Sequence, residues 1–193
     1  YVTDKGKTRE DPLYLAKSKL IYNQLVASNF SMNPVINQWN IYFKRNYNWR
    51  RVLKDIRTRR FDFKSKELMY LIINRGVTTG DRMRHWSTAN PYCVCGELET
   101  LEHLFLDCNL VKEFWRKFRY KWCLKTGSDF ISTFTLLTGY WSFSFIKNKK
   151  KEDIRMEWYY VHSKALKAIW KARNSFIFDQ KQRQIYEVFE ELL

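Results

Sequence analysis

Three cysteines and a histidine lie within sixteen residues near the middle of the sequence. Their pattern is Cys-x-Cys-x7-His-x4-Cys, formed by Cys93, Cys95, His103 and Cys108. Thiolate sulfur and imidazole nitrogen are ligands that zinc prefers, and three thiolates with one imidazole fill a tetrahedral shell without leaving a position for water. Gly96 permits the tight turn that lets two thiolates face one ion. The sequence therefore predicts a structural rather than a catalytic zinc site.

Other interpretations of these side chains are weaker. The spacing lacks the His-x-Glu and Pro-Cys-x-x-Cys pairing of zinc deaminases. Four residues of metal-ligand type so close together also disfavour a redox dithiol or a set of plain core residues. His85 is expected at the surface, with a phosphate contact as one alternative, and it is the next candidate for the fourth ligand if Cys93 does not bind. We expect Cys123 in the core, and His162 in the core or at its edge.

The charge of the chain indicates a polyanionic partner. Lys and Arg number 35 against 20 Asp and Glu, which gives +15. Ten basic residues lie between Ile41 and Lys66, opposed only by Asp55 and Asp62 and interleaved with aromatic residues. A solvated helix face is the plain alternative, but this mixture favours phosphate binding. The candidate nucleic-acid-binding residues are Lys44, Arg45, Arg50, Arg51, Lys54, Arg57, Arg59, Arg60, Lys64, Lys66, Arg82 and Arg84.

Composition narrows the class of protein. A hydrophobic share of 45% and an aromatic share of 18% are enough to bury a core. No apolar run approaches the ~20 residues of a membrane span, so no membrane partner is expected. The clustered cysteines favour intracellular metal ligands over a secreted disulfide framework. Because the chain opens at Tyr1 and shows no signal peptide, we expect it to be part of a longer polypeptide.

Six glycines and three prolines among 193 residues favour long helices over many short strands. After an irregular start over residues 1–10, capping signals and apolar spacing predict the following helices: Pro12–Leu25, a helix from Pro34 to about Phe43, one around Trp49–Ile56, Lys64–Arg75 ended by Gly76, Thr79–Trp86, a helix from Glu99 carrying His103, Asn109 to Gly127, Phe130–Leu137 ended by Gly139, Glu152–Phe178 and Gln180–Leu193. The lysine-rich run 147–151 is expected to form an exposed loop.

The expected architecture is an all-α helical bundle with a small Cys3His zinc knuckle inserted between helical parts. We divide it into a basic N-terminal helical region, 1–88, and a region with the zinc knuckle and C-terminal bundle, 89–193. The basic residues 50, 51, 54 and 57 are predicted on the helix face opposite Trp49, Val52 and Ile56.

The segment from Cys93 to Cys108, followed by Phe114-Trp115, resembles the zinc-binding region downstream of the reverse transcriptase in LINE-type (non-LTR) retrotransposons. That family's pattern runs Cys, Cys-Gly, Glu-Thr, His-Leu-Phe, Cys and then Trp. The flanking runs Phe63–Trp86 and Ala168–Asn174 are also similar. One departure is Val94, a single residue between the first two cysteines where the family usually has two.

The resemblance implies a non-catalytic nucleic-acid-binding domain that holds template RNA, target DNA or both during target-primed reverse transcription. It implies the rest of the reverse transcriptase polypeptide as a partner, and a nuclear location with a cytoplasmic ribonucleoprotein stage. An aromatic residue followed by Asp-Asp, the polymerase signature, is missing, and no nuclease constellation follows Cys108. The alternative is a structural module that docks on the polymerase core without touching nucleic acid, and an independent enzyme is disfavoured.

Overall fold

The computed structural model describes residues 2–4, 7–9, 34–58, 62–85, 90–127, 131–141 and 151–193. Several predicted features lie outside this part of the chain, namely the helix Pro12–Leu25, Arg59, Arg60, Trp86 and residues 147–150 of the lysine-rich loop. Lys151, the last residue of that predicted loop, is instead the first residue of a helix. Within it no helix is both long enough and apolar enough to span a membrane. The chain divides into two compact units, Tyr1–Tyr47 and Asn48–Leu193.

The first unit contains a short hairpin and one described helix. Strands β1 (Val2–Asp4) and β2 (Lys7–Arg9) pair antiparallel, with Thr3 opposite Thr8. The expectation of an irregular start is therefore wrong. Helix α1 (Pro34–Tyr42) begins at the predicted proline and buries Trp39, whose ring stacks on Phe43 at a centroid distance of 5.9 Å.

The second unit is helical, as predicted, and the Cys3His cluster lies between its helices. Its elements in chain order are α2 (Trp49–Thr58), α3 (Phe63–Ile73), α4 (Gly80–Met83), a π-helical turn (His103–Asp107), α5 (Asn109–Thr126), α6 (Thr133–Thr138), α7 (Lys151–Asp179) and α8 (Ile185–Glu190). Helix α7 contacts α3, the π-helical turn and α8, and it forms the centre of the unit.

Local chemistry explains several of the helix ends. Asp62 accepts the Ser65 N–H at 2.9 Å and begins α3, and Ser132 accepts the Thr135 N–H at 3.1 Å to begin α6. Gly127 and Gly139 end α5 and α6 in the left-handed region, with φ of 65° and 64°. These two stops confirm the predictions made from glycine.

Two ends differ from the sequence-based expectation. Helix α3 turns at Arg75 (φ 53°) rather than at Gly76, and the Gly76 N–H then donates to the Leu71 carbonyl at 2.7 Å. Helix α7 turns at Gln180 (φ 53°), so the last helix begins at Ile185 and not at Gln180. In both cases a non-glycine residue adopts the left-handed backbone, which the sequence does not signal.

The core of the second unit is an aromatic cluster between α5 and α7. Trp158 contacts Phe118, Trp122 and Trp141 at ring-centroid distances of 5.8, 5.3 and 4.9 Å, and its indole N–H donates to the Gly139 carbonyl at 2.8 Å. The boundary between the two compact units lies between Tyr47 and Asn48, whereas the division predicted from the sequence falls after residue 88. Helix α3 packs on α7, so residues on both sides of position 88 belong to the second unit.

Candidate metal centre and basic surface

A tight hairpin presents the first two cysteines. Tyr92 and Leu98 form an antiparallel bridge, the Cys93 N–H donates to the Glu97 carbonyl at 2.8 Å, and the Gly96 N–H donates to the Cys93 carbonyl at 2.9 Å. Gly96 has φ 89°, a conformation that other residues rarely adopt. The single residue between Cys93 and Cys95 is therefore compatible with both thiols lying in one turn.

A short helix with a widened last turn presents the other two candidate ligands, His103 and Cys108. The Thr100 hydroxyl caps it by accepting the His103 N–H at 3.1 Å. The Cys108 N–H then donates to the His103 carbonyl at 2.9 Å, a five-residue spacing that defines a π-helical turn. The predicted helix carrying His103, with Cys108 just past its end, is present, but the widened turn was not predicted.

The widened turn leaves a carbonyl that Trp115 satisfies. The Trp115 indole N–H donates to the Phe105 carbonyl at 2.8 Å, and both residues are buried. An unpaired buried carbonyl would be costly, so this bond holds the ligand-bearing turn against α5. It gives a physical role to the tryptophan seven residues after Cys108.

The four predicted ligand side chains meet in space. Their ligand atoms all lie within 4.8 Å of one another. The Cys93 and Cys108 sulfurs are 3.8 Å apart, and the Cys95 sulfur is 3.3 Å from His103 Nε2. With Zn–S bonds of about 2.3 Å, two sulfur ligands of a tetrahedral zinc are about 3.8 Å apart. The donor set and its spacing therefore fit a zinc ion, and the sulfur separation is too long for a disulfide.

The thiols of Cys93 and Cys108 have opposite pKa shifts. The contact with Cys93 lowers the pKa of Cys108, and the N–H groups of Val111 and Leu110 at the start of α5 add to this. The same contact raises the pKa of Cys93. The two sulfurs thus lie close enough for each to perturb the ionisation of the other, and a dication between them would stabilise both as thiolates.

The ligand region is joined to α7 by a buried ion pair. Arg173 Nη2 donates to Glu99 Oε1 at 2.7 Å, with side-chain exposures of 6% and 2%. The same carboxylate oxygen accepts the Gly80 N–H at 2.9 Å, and Arg173 also donates to the Thr78 carbonyl at 3.2 Å. Glu99 and Arg173 therefore connect α4, the cysteine hairpin and α7. Neither was predicted to have this role.

A second contact supports the same region from α3. Arg75, in its left-handed conformation, forms a two-point ion pair with Glu102, at the start of the His103 helix. Arg82 donates to the carbonyls of Arg75 and Val77. The Arg82 guanidinium thus helps to hold the α3–α4 connection, a structural use that was not predicted for this candidate phosphate contact.

The remaining candidate ligands lie apart from the cluster. His85 is exposed, as predicted for a surface residue. Cys123 is half-buried on α5, which differs from the expected core position. His162 is fully buried, with Nε2 2.7 Å from the Leu136 carbonyl and its ring stacked on Trp158, so the interpretation as a core histidine is confirmed.

The basic residues form a defined face on α2. Trp49, Val52 and Ile56 are buried on one side of the helix. The basic residues on its other side are exposed, namely Arg50, Arg51, Lys54 and Arg57. The structure thus separates the two sides as the apolar spacing predicts. We call these four residues the α2 basic face.

The other basic candidates are more scattered. Lys64 and Arg84 are exposed, whereas Lys66 is half-buried and its Nζ lies 3.5 Å from the Arg57 carbonyl. In the first unit Lys44 and Arg45 are exposed, and the Arg45 guanidinium lies over the Tyr47 ring at 5.5 Å.

This combination of a helical fold and a Cys3His cluster is typical of a small metal-binding domain. Residues 30–115 match a protein-family model described as zinc-binding in reverse transcriptase. The match covers less than half of the chain, and it includes α1–α4, the full ligand set and Trp115. It supports a zinc-binding domain related to those of reverse transcriptases over these residues. Neither the curated proteins nor the solved structures include a match to the chain.

Proposed function

We propose that the chain is a non-catalytic nucleic-acid-binding domain of a non-LTR retrotransposon reverse transcriptase, with one structural zinc. The observation that carries the proposal is the α2 basic face, which is exposed opposite a buried apolar side. The family match over residues 30–115 supports the link to reverse transcription. The proposed partners are template RNA, target DNA and the rest of the polypeptide, in the nucleus and in a cytoplasmic ribonucleoprotein.

Zinc has an organising role in this proposal. It would join the Cys93–Cys95 hairpin to the His103 turn and to the start of α5, and Glu99 continues the connection to α7 through Arg173. Helix α3 contacts both α2 and α7, so the basic face is supported by the same framework. Binding would be mainly to phosphates, and the domain would hold nucleic acid during target-primed reverse transcription without itself doing chemistry.

A salt titration tests the proposal. The triple variant Arg50→Ala/Lys54→Ala/Arg57→Ala should weaken RNA or DNA binding, and the slope of log affinity against log salt should fall by about 2–3 for three lost phosphate contacts. The matched control is Lys112→Ala/Arg116→Ala/Lys117→Ala on α5, where Arg116 and Lys117 are already paired with Glu113. The proposal fails if wild-type affinity is negligible at low salt, or if both variants behave alike.

An apolar groove favours a second role as a docking module on the polymerase core. It lies beside the cysteine hairpin and is lined mainly by apolar side chains, including Val94, Leu110, Val111, Phe176 and Ile185. Hydrogen exchange on the full polypeptide, with and without RNA, separates the two roles. Protection of α2 that requires RNA supports nucleic-acid binding, whereas RNA-independent protection around the groove alone supports docking.

A further inference from the structure

Helix α3 exposes two aromatic rings on one side. Phe63 is 79% exposed and Tyr70 is 60% exposed. Seven residues are almost two helical turns, so both rings lie on the same side of α3, about 10 Å apart along its axis. The helix already buries Leu68, Met69 and Ile72 on its other side. These two rings are therefore not needed for the core, and such exposed apolar groups commonly mark a binding surface.

The aromatic pair adjoins the α2 basic face. Lys66 on α3 reaches the Arg57 carbonyl at the end of α2, with an Nζ–O distance of 3.5 Å. Lys64, next to Phe63, is exposed as well. The surroundings of the rings are thus rich in positive charge, which is complementary to a polyanion.

Two carboxylates also belong to this region. The Asp62 carboxylate already has partners at the start of α3. It accepts hydrogen bonds from the Ser65 N–H and hydroxyl, and its Oδ1 lies 3.6 Å from Lys167 Nζ. Glu67 is exposed and lies between the two rings in the helical sequence. Three basic side chains, Arg57, Lys64 and Lys66, outnumber these two carboxylates, so the net charge near the rings is positive.

We propose that Phe63 and Tyr70 are a stacking platform for the bases of single-stranded nucleic acid, whose phosphates contact the α2 basic face. This inference rests on the proposed function and names the form of nucleic acid that it binds. Bases in a stacked strand are 3.4 Å apart, so rings about 10 Å apart engage bases that are splayed from each other. A duplex keeps its bases paired and stacked, and it offers no free base face to the platform.

Affinity measurements on the full chain test this inference. The probes are a 12-nucleotide single strand, made as RNA and as DNA, and a duplex of the same sequence. Phe63→Ala and Tyr70→Ala should each lower single-strand affinity by about tenfold, because one stacked base is lost. The salt slope should stay unchanged, because no phosphate contact is removed. Duplex affinity should also stay unchanged.

The matched control is Tyr120→Ala, which removes an equally exposed ring (65%) next to Lys121 on α5. Folding of the variants is checked by thermal unfolding, which should not change because all three rings are largely in solvent. As a direct signature of stacking, 2-aminopurine in the single strand should be quenched by wild type and less quenched by the Phe63→Ala/Tyr70→Ala double variant.

The outcomes separate the two proposals. If the α2 triple variant lowers the salt slope while Phe63→Ala and Tyr70→Ala match Tyr120→Ala, the stacking platform is refuted and the proposed function stands. Equal losses on the single strand and the duplex also refute the platform. If wild type binds none of the probes at low salt, both proposals fail. Losses confined to the single strand, on RNA, DNA or both, support the platform.

Discussion

Glu99 and Arg173, 74 positions apart in the sequence, form a buried ion pair beside the cysteine cluster. Their closest atoms, Glu99 Oε1 and Arg173 Nη2, are 2.7 Å apart. A charge that is removed from water needs several hydrogen bonds to offset its desolvation. Glu99 has them from Arg173 and from the Gly80 N–H, and Arg173 also donates to Thr78 and Asn174. The pair therefore sets how the metal-binding segment meets α7.

Breaking this pair should be strongly destabilising. Arg173→Met leaves a buried carboxylate without its counter-charge, and the free energy of unfolding should fall by about 3–5 kcal/mol. The exposed pair of Arg116 and Glu113 is the control, and Arg116→Ala should change stability little. Chemical denaturation measures both changes. A double variant, Glu99→Met/Arg173→Met, should be more stable than Arg173→Met alone. If the double variant were instead less stable than Arg173→Met, the ion-pair explanation would be contradicted.

Gly80 should not tolerate a side chain. A Cβ atom at this position would lie 2.3 Å from the Pro91 carbonyl oxygen, a backbone atom that cannot rotate away. Gly80→Ala should therefore push α4 from the cysteine hairpin, weaken the Gly80–Glu99 hydrogen bond and cost about 1–3 kcal/mol or more. In Gly76→Ala the nearest atom is the flexible Leu71 Cδ2 at 3.0 Å, so the cost should be much smaller. Equal unfolding midpoints for the two variants would rule out this steric account.

Zinc removal should loosen the ligand segment before the aromatic core. A strong chelator should speed hydrogen exchange at the amides of Cys93, Glu99 and Cys108, whose bonds shape the hairpin and the π-helical turn. The Trp158 indole N–H, bonded to Gly139 in the aromatic cluster, should stay protected longer. Added zinc should restore the pattern. Simultaneous loss of protection at all these sites would show that the core depends on the metal as strongly as the hairpin does.

Asp62 should add a small acid-dependent contribution to stability. Burial acts to raise the pKa of its carboxyl, but the bonds from Ser65 and the charges of Lys167 and Lys164 outweigh it and lower the pKa below 3.8. A lowered folded-state pKa stabilises the protein above the unfolded value, and this contribution is lost as the pH falls through the folded value. Wild type should therefore exceed Asp62→Asn in stability at pH 7, and the difference should shrink as the pH falls below about 3.8 towards the lower folded-state pKa. A difference that grows on acidification would contradict this sign.

Sequence patterns predicted the features that depend on neighbouring residues. Pro34, Asn109, Gly127 and Gly139 mark helix ends through local backbone chemistry, and the apolar spacing of α2 predicted which side is buried. The spacing of the cysteines and His103 likewise predicted side chains that meet within 4.8 Å. These features could be predicted because their causes lie within a few residues of each other.

The features that were missed depend on contacts between distant segments. Nothing near Glu99 in the sequence indicates Arg173. One usable signal was the position of Arg173, four and seven residues after the buried Ile169 and Leu166, which places a charge within the apolar side of α7. The left-handed conformations of Arg75 and Gln180 had no such signal, because neither arginine nor glutamine favours that backbone conformation.

The zinc content of purified ligand variants tests the central claim most directly. Wild type should carry one zinc per chain, and Cys93→Ser should lower zinc affinity as strongly as Cys108→Ser, because their sulfurs are 3.8 Å apart in one cluster. Cys123→Ser and His85→Ala should keep full zinc content. Full zinc content and affinity in Cys93→Ser, together with zinc loss in His85→Ala, would contradict the account and assign the fourth ligand to His85.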